Sequence, residues 1–220
     1  MKLYRLTYSP YVRKVQMLLD LLRRPYQAID VPYGDRTELA TVTGGYVYVP
    51  VLVDDDGTVV CDSRRICEHL LIGAAASDAA RALVPAPLDG PVWAYHDWCD
   101  GPLEDVLFRI ASPYVRPRWS NAGDRALWVL IKERKFGAGC IDAWERGRDE
   151  LLARANAMLA PSARTLAAQP FLFGARPSLA DVALYGLFSY LGAAEATLPA
   201  RFDPQFTSWT RRMEEMAAGR

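Results

Sequence analysis

Residues 49–63 read Val-Pro-Val-Leu-Val-Asp-Asp-Asp-Gly-Thr-Val-Val-Cys-Asp-Ser. Two β-branched runs flank Asp56-Gly57, whose glycine supplies the positive φ of a tight turn, so the stretch is predicted as a hairpin with its first strand opening at Val49. Asp62-Ser63 then places two helix-capping residue types before a helix through about Ile72. Upstream, Lys2 to Leu6 is predicted as a short strand. Pro10 to Arg23 is predicted as an amphipathic helix with Val12, Val15, Leu19 and Leu22 on one face, and Tyr26 to Val31 as a second strand. Strand, helix, strand at this spacing is a βαβ unit with parallel strands. Gly34 to Thr43 is polar and irregular, with room for one short helix.

Downstream the composition changes. Residues 73–91 are dominated by small residues and prolines and read as a linker. Everything beyond is predicted helical. Val92 to Ala111 is one helix kinked at Gly101-Pro102. Asp124 to Lys135 is a second, closed by Gly137 and Gly139. Ile141 to Leu166 and Phe206 to Ala218 are two more. Ser178 to Ala194 is apolar nearly all round and is expected to be the buried central helix of a bundle. The reading is therefore α/β followed by all-α: residues 1–73, a linker over 74–91, and a helical domain over 92–220.

Composition narrows the function. Of 220 residues, 51% are hydrophobic and 24% charged, as in an ordinary folded protein. Lys plus Arg equals Asp plus Glu, 26 each, so there is no basic excess to pair with nucleic-acid phosphates. The N-terminal run M-K-L-Y-R-L-T-Y-S-P has no apolar signal segment, and the uncharged run Val182 to Ala194 is too short to span a bilayer. A cytoplasmic protein with reduced thiols is expected. Cys61, Cys67, Cys99 and Cys140 form no C-x-x-C pair. His69 and His96 are isolated, so no metal site is expected and both are read as structural.

Chemistry concentrates at three places. In S-P-Y-V-R-K-V, Ser9 to Val15, serine at the N-cap and proline at N1 make a standard helix start. The same helix end offers free N–H groups and a positive dipole to an anion. Pro50 inside a β-run needs a reason, either an edge strand or a cis peptide. Asp62-Ser63 serves equally as an N-cap pair or as a ligand site. A fourth motif, P-S-L-A-D-V-A-L-Y from Pro177 to Tyr185, places Ser178 and Asp181 as a capping box and is assigned to folding.

The order of elements and these motifs resemble the glutathione transferase superfamily, in its serine-type bacterial form. The resemblance implies a thioredoxin-like domain followed by a helical domain, a cytoplasmic homodimer, glutathione as co-substrate and a role such as detoxification. It implies that Ser9 stabilises the glutathione thiolate, with Tyr8 and Tyr11 as alternatives. It further implies that the peptide before Pro50 is cis, that Val49 pairs with the glutathione backbone, and that Ser63 and Asp62 hold the γ-glutamyl carboxylate and ammonium. Residues 1–60 contain no cysteine, so disulfide chemistry through a protein thiol at this turn is disfavoured. Tyr48 stands where such enzymes often carry a basic residue, and Arg13 and Arg36 are candidates to hold the glycyl carboxylate instead.

S-P-Y-V, T-G-G, V-P-V-L-V-D-D, Gly101-Pro102 and K-E-R-K-F-G-A-G (residues 132–139) are also similar to the glutathione-dependent β-etherases of lignin-degrading bacteria. That similarity implies thiolate attack at a carbon bearing a phenoxide leaving group. The acceptor is expected in a cleft between the domains, lined by Tyr11, Trp98, Phe108 and Tyr114 and suited to a hydrophobic aromatic electrophile. The rival expectation is a binding or scaffold protein that keeps the fold without turnover.

Overall fold

A computed structural model describes residues 1–71 and 77–219. The first part runs β1 (Lys2–Arg5), α1 (Pro10–Leu21), β2 (Gln27–Asp30), α2 (Thr37–Thr43), β3 (Val51–Val53), β4 (Val59–Cys61) and α3 (Ser63–Leu71). The sheet order is β2-β1-β3-β4. β1 pairs parallel with β2 and antiparallel with β3, and β3 with β4 antiparallel through the predicted hairpin. This is the thioredoxin-like arrangement. Leu3 and Leu52 face the helices and are fully buried with Val15, Leu18 and Ile66, whereas Tyr4 and Val51 pack on the opposite face with Leu39. That alternation is what a two-residue strand period requires. Val49-Pro50 lies just before β3 rather than within it.

The helical part comprises α4 (Asp78–Leu83), α5 (Asp89–Trp98), α6 (Glu104–Val115), α7 (Ala122–Phe136), α8 (Cys140–Arg146), α9 (Arg148–Ala168), α10 (Leu179–Ala194) and α11 (Pro204–Ala218). Two details differ from expectation. The stretch read as a linker carries α4, whose Ala80 and Leu83 are buried in the main core; the end of the preceding helix and the linker's beginning, residues 72–76, lie outside the described residues. The predicted helix Val92 to Ala111 is two helices joined by a π-turn, Cys99–Leu103, around Pro102. Proline has no N–H to donate, and the wider turn accommodates the missing bond. Gly147 likewise separates α8 from α9.

α10 is buried along most of its length. Its capping aspartate, Asp181, accepts hydrogen bonds from the Ser178 and Leu172 amides at 2.9 Å each and from Trp209 Nε1 at 3.0 Å. α1 lies directly on α10 at Gly186, where a Cβ would stand 2.8 Å from the Pro10 carbonyl oxygen and 2.9 Å from the Lys14 Cβ. Only glycine lets the two helices approach this closely. Beside that contact Lys14, 1% exposed, donates to Asp100 Oδ2 at 2.5 Å and to His96 Nε2 at 2.9 Å. This buried charge cluster clamps α1 to the π-turn of the helical domain. Burial, reinforced by the Lys14 charge, pushes the His96 pKa down, so the ring stays neutral.

Candidate active site

The loop after β1 turns into α1 at Ser9. Ser9 has extended backbone geometry and its Oγ accepts the Val12 N–H at 3.3 Å, the bond expected of an N-cap. A hydroxyl can accept and donate together. The donor side of Ser9 has no acceptor among the described residues. Next to it the Val49-Pro50 peptide is cis. The Pro50 carbonyl accepts the Asp62 N–H at 3.3 Å, and the Val49 amide and carbonyl make no hydrogen bond among the described residues. Asp62 has a positive φ of 80°, a conformation that aspartate tolerates better than bulkier residues. Its Oδ1 accepts the Arg64 and Arg65 amides at 2.8 and 3.3 Å, which caps α3. Ser63, 3% exposed, opens that helix.

These elements form the floor of a cleft of about 750 Å³ whose opposite wall is Glu104 and Phe108 of α6, Trp119, Trp128 and Lys132 of α7, and Tyr190 of α10. Of the residues singled out in the sequence, Tyr8, Ser9, Tyr11, Val49, Pro50, Asp62, Ser63 and Phe108 line this space. The Tyr8 ring meets Trp119 edge-on at 5.8 Å. The Tyr11 hydroxyl donates to the Asp100 carbonyl at 3.4 Å, and burial next to Glu104 pushes its pKa up, so it remains a neutral donor.

Three expected residues lie elsewhere. Arg13 turns away from the cleft. Its guanidinium donates to the Thr7 carbonyl at 3.0 Å and to Ser189 Oγ at 2.9 Å, tying α1 to α10. Trp98 packs against Tyr95 at 5.1 Å. It directly precedes the π-turn, which breaks the helical phase assumed for a continuous helix. Tyr114 sits under the Arg148 guanidinium, 4.8 Å from its ring centroid, on the side of α6 facing α9.

Arg36, the second cation considered in the sequence, does line the cleft. Its Nε donates to the Tyr33 carbonyl at 3.1 Å, its guanidinium lies over the Tyr33 ring at 5.3 Å, and one terminal nitrogen is buried without a partner. Tyr48 is 69% exposed. The helical wall was largely missed. Two pairs at i,i+4, Glu104 with Phe108 and Trp128 with Lys132, put a charged and an aromatic group on one face of α6 and of α7. That spacing was the signal available. Burial pushes the Glu104 carboxyl up to about 7 and the Lys132 ammonium down to about 8.

Glutathione S-transferase family models match both parts of the chain, the N-terminal domain over residues 3–77 and the C-terminal domain over residues 142–212. The chain belongs to the glutathione S-transferase superfamily. Among solved structures it is similar to a glutathione S-transferase of Ceriporiopsis subvermispora in complex with glutathione, with 20% identity, a TM-score of 0.77, and coverage of 100% of this chain and 98% of that one. It is also similar to glutaredoxin 2 of Salmonella typhimurium in complex with glutathione, at 16% identity and a TM-score of 0.75 over 99% of this chain and 94% of that one. A glutathione S-transferase of Rhodospirillum rubrum aligns at 22% identity and a TM-score of 0.68 over 97% and 87% of the two chains. Among the described residues no helix is long and apolar enough to cross a membrane, and no cluster of metal-ligating side chains is found.

Proposed function

We propose that this protein is a glutathione transferase that presents the glutathione thiolate to a hydrophobic, aromatic electrophile. The observation that carries the reading is the convergence on one cleft floor of three groups with unused hydrogen-bonding capacity. They are the Ser9 hydroxyl at the N-terminus of α1, the Val49 amide and carbonyl before β3, and the buried terminal nitrogen of Arg36. They match a thiolate, a peptide unit and a carboxylate. Ser63 at the α3 N-terminus adds a site for the second carboxylate, and Asp62 supplies the negative charge for an ammonium. Glutathione-bound structures of the same fold support this assignment.

In this mechanism the α1 N-terminus and the Ser9 hydroxyl favour the thiolate over the thiol, and the thiol proton passes to solvent. The sulfur attacks the electrophilic carbon, a carbon–sulfur bond forms, and the leaving group departs with its electron pair to be protonated. The floor contributes positioning and charge stabilisation. Serine rather than cysteine at position 9 leaves the nucleophile on the tripeptide. Aryl ether cleavage, with a phenoxide leaving group, is the narrower form of the same reaction.

Calorimetric titration with glutathione, followed by conjugation of chlorodinitrobenzene and cleavage of an aryl ether, tests the proposal. Saturable binding with turnover is expected. Binding without turnover on any electrophile would leave a scaffold protein as the reading, and absence of binding would overturn the donor site itself.

A further inference from the structure

Lys132 is unusual among the lysines. The chain has four, and Lys14 is held by Asp100 and His96. Lys132 is half-buried in the cleft wall and makes no hydrogen bond or ion pair among the described residues. Its Nζ lies 5.2 Å from the Phe108 ring centroid and 5.2 Å from that of Trp128. Cation–π contacts favour the ammonium there but leave its N–H donors without an oxygen acceptor. An ammonium drawn into an aromatic wall without an anionic partner gives up hydration that nothing in the chain replaces. Glu104 lines the same wall one helical turn before Phe108.

Resting on the transferase reading, we propose that Lys132 and Glu104 form the anchoring end of the acceptor subsite and select aromatic acceptors carrying an anionic oxygen, an aryl carboxylate or phenolate. The ring lies against Phe108 and Trp128, Lys132 supplies the opposite charge, and Glu104 donates a hydrogen bond in its protonated form. The groups acting on Glu104 are consistent with this. Tyr11 from α1, Asp100 from the π-turn, neighbouring Asp105 and Tyr190 from α10 bring negative charge or neutral hydroxyls, and Lys132 and Lys135 from α7 bring positive charge. With its pKa near 7, set first by burial, Glu104 still carries a proton at neutral pH in a substantial share of molecules.

The test uses unreactive ligands, so it does not depend on turnover. Nitrobenzoate, its neutral methyl ester, dinitrophenolate and its neutral methyl ether are titrated into the wild-type protein saturated with glutathione and into Lys132→Met. Loss of a desolvated charge-assisted contact predicts at least roughly tenfold weaker binding of the preferred anion in the variant, and less than about a twofold change for its neutral counterpart. Comparison of the carboxylate with the phenolate shows which anion the subsite takes. The anion's affinity is also expected to fall in the wild type as the pH rises through 7, and to hold in Glu104→Gln. Equal effects on anion and neutral partner would overturn the proposal, leaving Lys132 as packing. Weaker glutathione binding in Lys132→Met with unchanged anion discrimination would also overturn it, by placing Lys132 at the donor. Failure of the wild type to bind glutathione would instead strike at the transferase reading, and the same anion–neutral comparison made without glutathione still decides the subsite.

Discussion

The floor and the wall of the cleft are built by different means. The floor is made of main chain and helix ends: the Ser9 cap, the Val49 peptide unit, and the Asp62-Ser63 start of α3. Each piece is local in sequence. The wall is made of side chains from α6, α7 and α10, brought together only by helix packing. A main-chain site can be fixed by a few contiguous residues, whereas a side-chain wall depends on the rotation of every helix that contributes to it. The two halves are held at one spacing by the clamp of Lys14, Asp100 and His96, where Asp100 also offers its carbonyl to Tyr11.

Breaking that clamp is expected to have the largest effect. Asp100→Ala leaves the buried Lys14 ammonium without its carboxylate and is expected to destabilise the protein by about 3–5 kcal/mol, measured by denaturant unfolding. Lys14→Met, which removes the charge itself, is expected to cost less. Equal losses would mean that the pair is not the element joining floor to wall.

The floor is sharpened by comparing its two arginines. Arg36→Ala is expected to weaken glutathione binding by roughly tenfold with little change in melting temperature, because its buried nitrogen has no protein partner to lose. Arg13→Ala is expected to lower the melting temperature and leave glutathione affinity nearly unchanged, since its partners are Thr7 and Ser189. The reverse pattern would exchange their roles.

The smallest effect expected is a pH dependence of stability. The His96 pKa is lowered in the folded protein, first by burial and then by Lys14. Below the unfolded value of about 6.5 the unfolded chain therefore takes up a proton that the folded one refuses, so stability present above that pH is lost as the pH falls toward the folded pKa. Thermal melts across this range should show the decline, and His96→Gln should flatten it.

The same contrast explains what the sequence disclosed. The hairpin, the βαβ unit, the α1 start and the Asp62-Ser63 cap were legible because turn chemistry and capping act over a few residues. Trp98 and Tyr114 were misplaced because the π-turn resets helical phase between α5 and α6, and because nothing in sequence tells which side of α6 meets α9. Arg13 was misread because a cation near a helix start serves equally to pin that helix to its neighbour. The clamp was invisible because Lys14 and Asp100 meet only after α1 docks on α10 at Gly186, and α4 was obscured by the small-residue composition around it.

The central claim is that Ser9 and the α1 N-terminus act on the sulfur of glutathione. The most direct test is an absorbance titration of the thiolate in the glutathione complex of the wild type and of Ser9→Ala. A hydrogen bond to a charged partner is worth roughly 1.5–3 kcal/mol, so its loss should raise the bound thiol's pKa by about one to two units. Glutathione affinity, held by Val49, Asp62, Ser63 and Arg36, should change far less, and turnover at neutral pH should fall with the thiolate fraction. Superimposable titration curves with unchanged turnover would contradict the account, leave Ser9 as a helix cap alone, and move the role to Tyr8 or Tyr11.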